Sequence, residues 1–97
     1  MNHTVNVAVQ VLPRSKDVDT YDLVDEAISI IDQSGIKYRV TPFETVMEGD
    51  YDQIMEIVKK IQLACYKAGA ETAMTYVKIQ TSSLSPVRID DKMKKYD

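Results

Sequence analysis

The stretch GIKYRVTPFETVMEGDYDQ, Gly35 to Gln53, decides the fold, because it reads as two strands in immediate succession with no helix between them. Ile36, Tyr38 and Val40 alternate with Lys37, Arg39 and Thr41, the period of two that puts successive side chains on opposite faces of a sheet. Pro42 to Glu44 reads as the turn, since proline fixes its own backbone and cannot donate to a ladder. Thr45 to Gly49 is then a short third strand, and Asp50 follows as a helix N-cap, with Gln53 three residues on to complete a capping box. A carboxylate at Glu48, inside a strand, loses hydration unless something pairs with it, so it faces water or holds a ligand.

Outward from this pair the chain is symmetrical in kind. Upstream, Val5 to Leu12 alternate, with Val5, Val7, Val9 and Val11 on one face and Asn6, Ala8, Gln10 and Leu12 on the other, and Pro13 is expected to end that strand. From Thr20 the period changes: Val24, Ala27, Ile28 and Ile31 make the apolar stripe of a helix that opens on Asp22, Asp25 and Glu26 and stops at Gly35. Downstream, Ile54, Ile57, Val58, Ile61, Cys65 and Ala68 form the stripe of a second helix, ended by Gly69. Thr72 to Ser82 is a fourth strand, with Val77 and Ile79 on one face and Tyr76, Lys78 and Gln80 on the other, and a short helix is expected at Ile89 to Tyr96. The order βαββαβ predicts an α+β, ferredoxin-like sandwich over residues 1–97: a four-stranded antiparallel sheet with two helices on one face. The other face, with Ala8, Gln10, Leu12, Lys37, Arg39, Tyr76, Lys78 and Gln80, is expected to lack a cover and to take either the sheet of a second copy or a planar ligand, the second copy being favoured.

Composition narrows the function classes. A net charge of -3 argues against a nucleic-acid binder, and no apolar run approaches the roughly 20 residues of a membrane helix. The beginning, MNHTVNVAVQ, has no basic region followed by an apolar core, so a cytoplasmic protein is expected. One cysteine leaves no internal disulfide and no Cys-x-x-Cys site, and Cys65 on the helix stripe reads as a packed core thiol. His3 is the only histidine, so no Ser-His-Asp set is credible. Asp17, Asp19 and Asp22 lack the glycine and terminal carboxylate of a calcium loop and read better as helix caps. Arg14 lies in a loop without the glycines of a phosphate cradle, and the central strands lack the exposed aromatics of an RNA-recognition module. No catalysis, no metal and no cofactor are expected.

Several marks together resemble a known family. They are a first strand closed by a proline, the segment SGIKYRVTPFETVMEGD with its Thr-x-x-Glu-Gly core, and a closing VKIQ strand followed by a Lys-rich helix. Over nearly its whole length the chain resembles the small thiamine-binding proteins of ferredoxin-like fold. The resemblance implies a non-catalytic protein that binds thiamine or its hydroxymethylpyrimidine part, assembled as dimers with stacked sheets and often as tetramers. A regulatory or structural module of the same fold, pairing through its open face and sensing another metabolite, is the alternative.

The ligand's chemistry selects candidate residues. Thiamine carries a cationic thiazolium and a flat aminopyrimidine with neighbouring donor and acceptor atoms. Glu48 could pair with the cation or accept from the amino group, and Thr45 could offer a hydroxyl. On a regular strand these two face opposite sides, so a bulge or the strand end would have to bring them together. Otherwise Glu48 satisfies backbone amides at the start of the second helix. Gln10 could read the pyrimidine edge, Tyr76 or Tyr38 could stack on a ring, and Lys78 would suit a phosphate rather than a cation.

Overall fold

The computed structural model describes residues 1–97. Its elements are β1 (Val5–Arg14), α1 (Thr20–Gln33), β2 (Lys37–Val40), β3 (Thr45–Gly49), α2 (Tyr51–Lys67), β4 (Thr72–Gln80) and α3 (Ile89–Met93). The four strands make one antiparallel sheet in the order β2-β3-β1-β4, the ferredoxin-like arrangement that the βαββαβ order predicts. No helix is long and apolar enough to cross a membrane.

The helices start where their caps dictate. Asp19 accepts from the Tyr21 amide at 2.8 Å and Asp50 from the Gln53 amide at 3.0 Å, each satisfying an orphan donor of a first turn. For α2 this bond to the Gln53 backbone is the half of the expected capping box that forms. Gly35, with φ of +75°, takes the left-handed conformation that turns the chain from α1 into β2. Gly49 serves a different need: a Cβ there would come within 3.0 Å of the Ile36 side chain, so the end of β3 stays bare.

One apolar cluster lies between the sheet and α1 and α2. Val5, Val7, Val9 and Met47 supply the sheet side, Leu23, Ala27 and Ile31 come from α1, and Ile54, Ile57, Val58, Ile61 and Cys65 from α2. Cys65 is fully buried, its Sγ 3.7 Å from the Leu23 carbonyl, and burial pushes its thiol pKa up. It is a core thiol, as its place on the stripe predicts. Ile79, expected on the same face, remains 44% exposed because β4 is an edge strand.

Pro13 does not end β1. The strand runs on to Arg14, with Pro13 paired to Ala73. The Arg14 carbonyl accepts from the Glu71 amide at 2.7 Å, so Arg14 directs its backbone toward β4 and Pro13 directs its own the other way. On that side β3 begins only at Thr45, opposite Val9, and the nitrogen without a proton has no ladder to interrupt.

The open face is not bare, which corrects the second expectation. The segment after β4 turns back under the sheet and lays α3 across one end of it, burying Val87 and Ile89. The Val87 amide donates to the Thr4 carbonyl at 2.9 Å, and Asn6 Nδ2 donates to the Val87 carbonyl at 3.0 Å. The helix itself is shorter than expected, ending at Met93, and the residues beyond it continue to Asp97, which pairs with Arg39.

Candidate functional site

Strand register sorts the open face into rows that cross all four strands. The first is Lys37, Glu48, Asn6, Gln80, and the second Arg39, Val46, Ala8, Lys78. The first row is a clamp for the strap formed by residues 87–97. Glu48 Oε1 accepts from the Ile89 amide at 2.6 Å and from Asn6 Nδ2 at 3.3 Å, with Lys37 Nζ 3.5 Å from Oε2. Lys37 also donates to Asp90 at 2.9 Å, and Lys92 donates to Asn6 Oδ1 at 2.9 Å. Arg88, at the cap position of α3, makes no capping bond of its own, so Glu48 supplies that acceptor from the sheet. Glu48 therefore satisfies a backbone amide at the start of the third helix, whereas the sequence pointed to the second.

The expected meeting of Thr45 and Glu48 does not occur. The β1–β3 register runs without a bulge from Val5 opposite Gly49 to Val9 opposite Thr45, so alternation puts Thr45 on the helix side and Glu48 on the strap side. The other candidates scatter too. The Tyr38 hydroxyl donates to Asp32 at 2.9 Å, tying β2 to the end of α1, and that bond raises its pKa. Tyr76 is half-exposed on β4 opposite Gln10, its hydroxyl 3.0 Å from the Met74 sulfur. Lys78 reaches from β4 to Glu44 in the β2–β3 turn at 2.6 Å.

Thr45 and the Gln10 backbone border one notch on the helix side, while the Gln10 side chain alternates to the open face opposite Tyr76. β1 runs on through Gln10–Arg14 after β3 has given out, which leaves a gap bounded by β1, the 41–44 turn and α1. A cavity of about 130 Å³ occupies it, lined by Val11, Thr45, Pro42, Phe43, Ala27 and Ile28 among others, with no ionisable side chain on its wall. The Thr45 residue is 6% exposed, and its hydroxyl bonds to no protein group. Thr41 is committed to the turn, donating to the Glu44 carbonyl at 2.6 Å.

Backbone groups complete the polar set. The Thr41 amide donates to the Glu44 carbonyl across the hairpin, and hydrogen bonding alternates along antiparallel strands, so Thr45, Met47 and Gly49 direct their backbones at β1. Their partners Val9, Val7 and Val5 reciprocate. Val11 is next in that series and has no β3 residue opposite it, so its N–H and C=O face the notch. A donor and an acceptor side by side on one backbone, with a free hydroxyl nearby and apolar walls, suit a flat heterocycle with the complementary edge.

The sequence reading missed Val11, Phe43 and the α1 wall. Phe43 is the only phenylalanine of the chain and is 80% exposed in a turn, which is the signal that could have been read. Val11 contributes through its backbone, which side-chain patterning does not report.

Residues 7–97 match the profile of the family described as Thiamine-binding protein. A UPF0045 protein of Clostridium perfringens is 42% identical over 93 residues, covering 96% of this chain and 97% of that protein. Among solved structures, the domain of unknown function DUF77 from Bacillus cereus superposes with a TM-score of 0.95 at 40% identity, covering 98% of this chain and 91% of the other. A Thermotoga maritima protein provisionally assigned to thiamine biosynthesis or salvage superposes with a TM-score of 0.87 at 29% identity, covering 97% and 99% of the two chains.

Proposed function

The chain belongs to the thiamine-binding protein family, and on that premise we propose that it is a non-catalytic binding protein for thiamine or its hydroxymethylpyrimidine half. In this reading the pyrimidine sits in the notch at the end of the sheet, hydrogen-bonded by Val11 and Thr45, and the rest of the ligand lies at the mouth beside Phe43.

The observation that carries the reading is the notch itself. An apolar cavity of about 150 Å³ accommodates benzene, so the roughly 130 Å³ found here suits one six-membered ring and is too small for the whole of thiamine. The two-ring ligand then has to leave its thiazolium outside, where the exposed Phe43 ring offers a face to a cation. Charge favours the same placement: the groove on the opposite face of the sheet is walled by Arg39, Lys78 and Lys92, which repel a thiazolium. A wall of apolar side chains and threonines supports binding over catalysis, because it offers no general acid, base or activated nucleophile. We further propose a cytoplasmic protein that pairs with a second copy through the exposed strip Leu12, Met74 and Tyr76, at the end of the open face farthest from α3.

Calorimetric titration with hydroxymethylpyrimidine, thiamine and thiamine diphosphate tests the site. Thr45→Val is expected to weaken hydroxymethylpyrimidine and thiamine alike by about tenfold, the loss of roughly 1.4 kcal/mol for one hydrogen bond. Phe43→Ala is expected to weaken thiamine about threefold and leave hydroxymethylpyrimidine unchanged, since only the cation meets that ring. If all three compounds bind to neither protein, or if Thr45→Val binds as well as the parent, the notch is not the site.

A further inference from the structure

The second row of the open face is built differently from the first. Arg39, Val46, Ala8 and Lys78 stand side by side across the sheet, two cations flanking two small apolar residues. With strands about 4.8 Å apart, the outer two backbones are separated by about 14 Å. Above Val46 and Ala8 lies a groove of about 590 Å³, closed at one end by α3 and at the other by Thr41 and Pro42. That volume falls in the range of small-ligand pockets.

The lining carries Arg39, Lys78 and Lys92 and no acidic side chain, in a chain whose net charge is -3. Such a concentration of positive charge on an acidic protein focuses its field on anions. The protein's own carboxylates already answer it. Asp97 takes both Nη atoms of Arg39, at 2.8 and 3.1 Å, in the two-pronged geometry that guanidinium offers to carboxylate and phosphate. Glu44 takes Lys78, whose side chain reaches across the groove to the turn. Both pairs are solvent-accessible, with Lys78 73% and Asp97 52% exposed, so each is readily exchanged for a stronger anion.

We propose that this groove binds a planar, phosphate-bearing small molecule, its ring on the Ala8–Val46 floor and its phosphate on Arg39 and Lys78 in exchange for Asp97 and Glu44. The site is distinct from the notch, which lies on the other side of the sheet and shares only Thr41 and Pro42 with it, and stands or falls without it. A phosphate ester brings two negative charges to groups that now hold one carboxylate each, and the flat apolar floor meets the ring. The strap then acts as a competitor for the ligand: the pairing of Asp97 with Arg39 has to open before Arg39 is free.

The experiment is a titration of the isotope-labelled full chain with uridine monophosphate, uridine and inorganic phosphate, followed by backbone amide shifts. Uridine monophosphate is expected to move the amides of Ala8, Val46 and Lys78, and uridine to bind at least tenfold more weakly. The double variant Arg39→Gln, Lys78→Gln is expected to lose at least tenfold for the nucleotide while keeping the parent's melting temperature and its affinity for thiamine, because both side chains lie outside the core. Asp97→Asn is expected to tighten binding severalfold relative to Asp52→Asn on α2, which changes the net charge equally but leaves Arg39 paired. Inorganic phosphate binding as tightly as the nucleotide would overturn the planar ligand. Equal binding by the double variant, shifts centred on Lys59 and Lys60 of α2, or shifts that follow protein concentration instead of ligand would each overturn the site.

Discussion

Adjacent residues on β3 live in opposite chemical settings. Thr45 and Met47 face the helices, where two amphipathic elements exclude water and the wall is apolar. Val46 and Glu48 face the strap, where a five-residue helix and an irregular segment cover one end of the sheet and leave the rest open. On the helix side, packing holds the structure, and the polar groups at the notch are few, chiefly Thr45 and the Val11 backbone. On the strap side, side-chain hydrogen bonds and ion pairs do the holding. A sheet with one covered face can thus host two kinds of site, one selected by shape and the other by charge.

Breaking each side should give effects of different size and kind. Met47 is completely buried, and Met47→Ala is expected to cost about 3 kcal/mol in urea unfolding, against under about 1 kcal/mol for Val46→Ala. Equal losses would mean that the strap side is packed as tightly as the core. Glu48→Ala comes next: it strands the Ile89 amide and removes one of the two bonds that Asn6 Nδ2 donates, at a cost of about 2 kcal/mol. Its distinguishing signature is local, with faster hydrogen exchange over residues 87–93 and little change in α1 or α2.

The smallest effect is that of pH on the end of the strap. Hydrogen bonds from Arg39 hold the Asp97 carboxyl below the ordinary aspartate value. A depressed carboxyl pKa means that the pair contributes above the unfolded value and is lost as pH falls through the depressed one. Lys37 runs in the opposite sense. Its bond to Asp90 raises its pKa, so that contact is present below the ordinary lysine value and is lost as pH rises through the raised one. Amide shifts of residues 94–97 should therefore move together on acidification, while the core amides hold. If the core melts in the same step, strap and core are one cooperative unit and the contrast between the faces fails.

Much of this was legible in the chain. Every strand and both long helices follow from periods of two and 3.6, and the N-caps Asp19 and Asp50 from local chemistry. Pro13 was misread because a proline inside a strand is tolerated or forbidden according to what lies beside it, and only the register shows that β3 stops short there. The candidate site was legible in parts. Thr45 and Lys78 border cavities, but the pairing of Thr45 with Glu48 failed on the alternation that the sequence itself implied. The partner of Glu48 lies 41 residues away along the chain, beyond the reach of any local pattern.

What the sequence determined alone is the set of elements, their order and the face each strand turns to the helices, because backbone geometry and hydrophobic spacing act over a few residues. What the tertiary structure decided is which ends of the strands overlap and where the last eleven residues come to rest. The notch exists because β1 outlasts β3, and the groove because α3 crosses only one end of the sheet and leaves the Ala8–Val46 floor open. Both depend on contacts between residues far apart in the chain, where length, register and charge are matched in three dimensions and not along the strand.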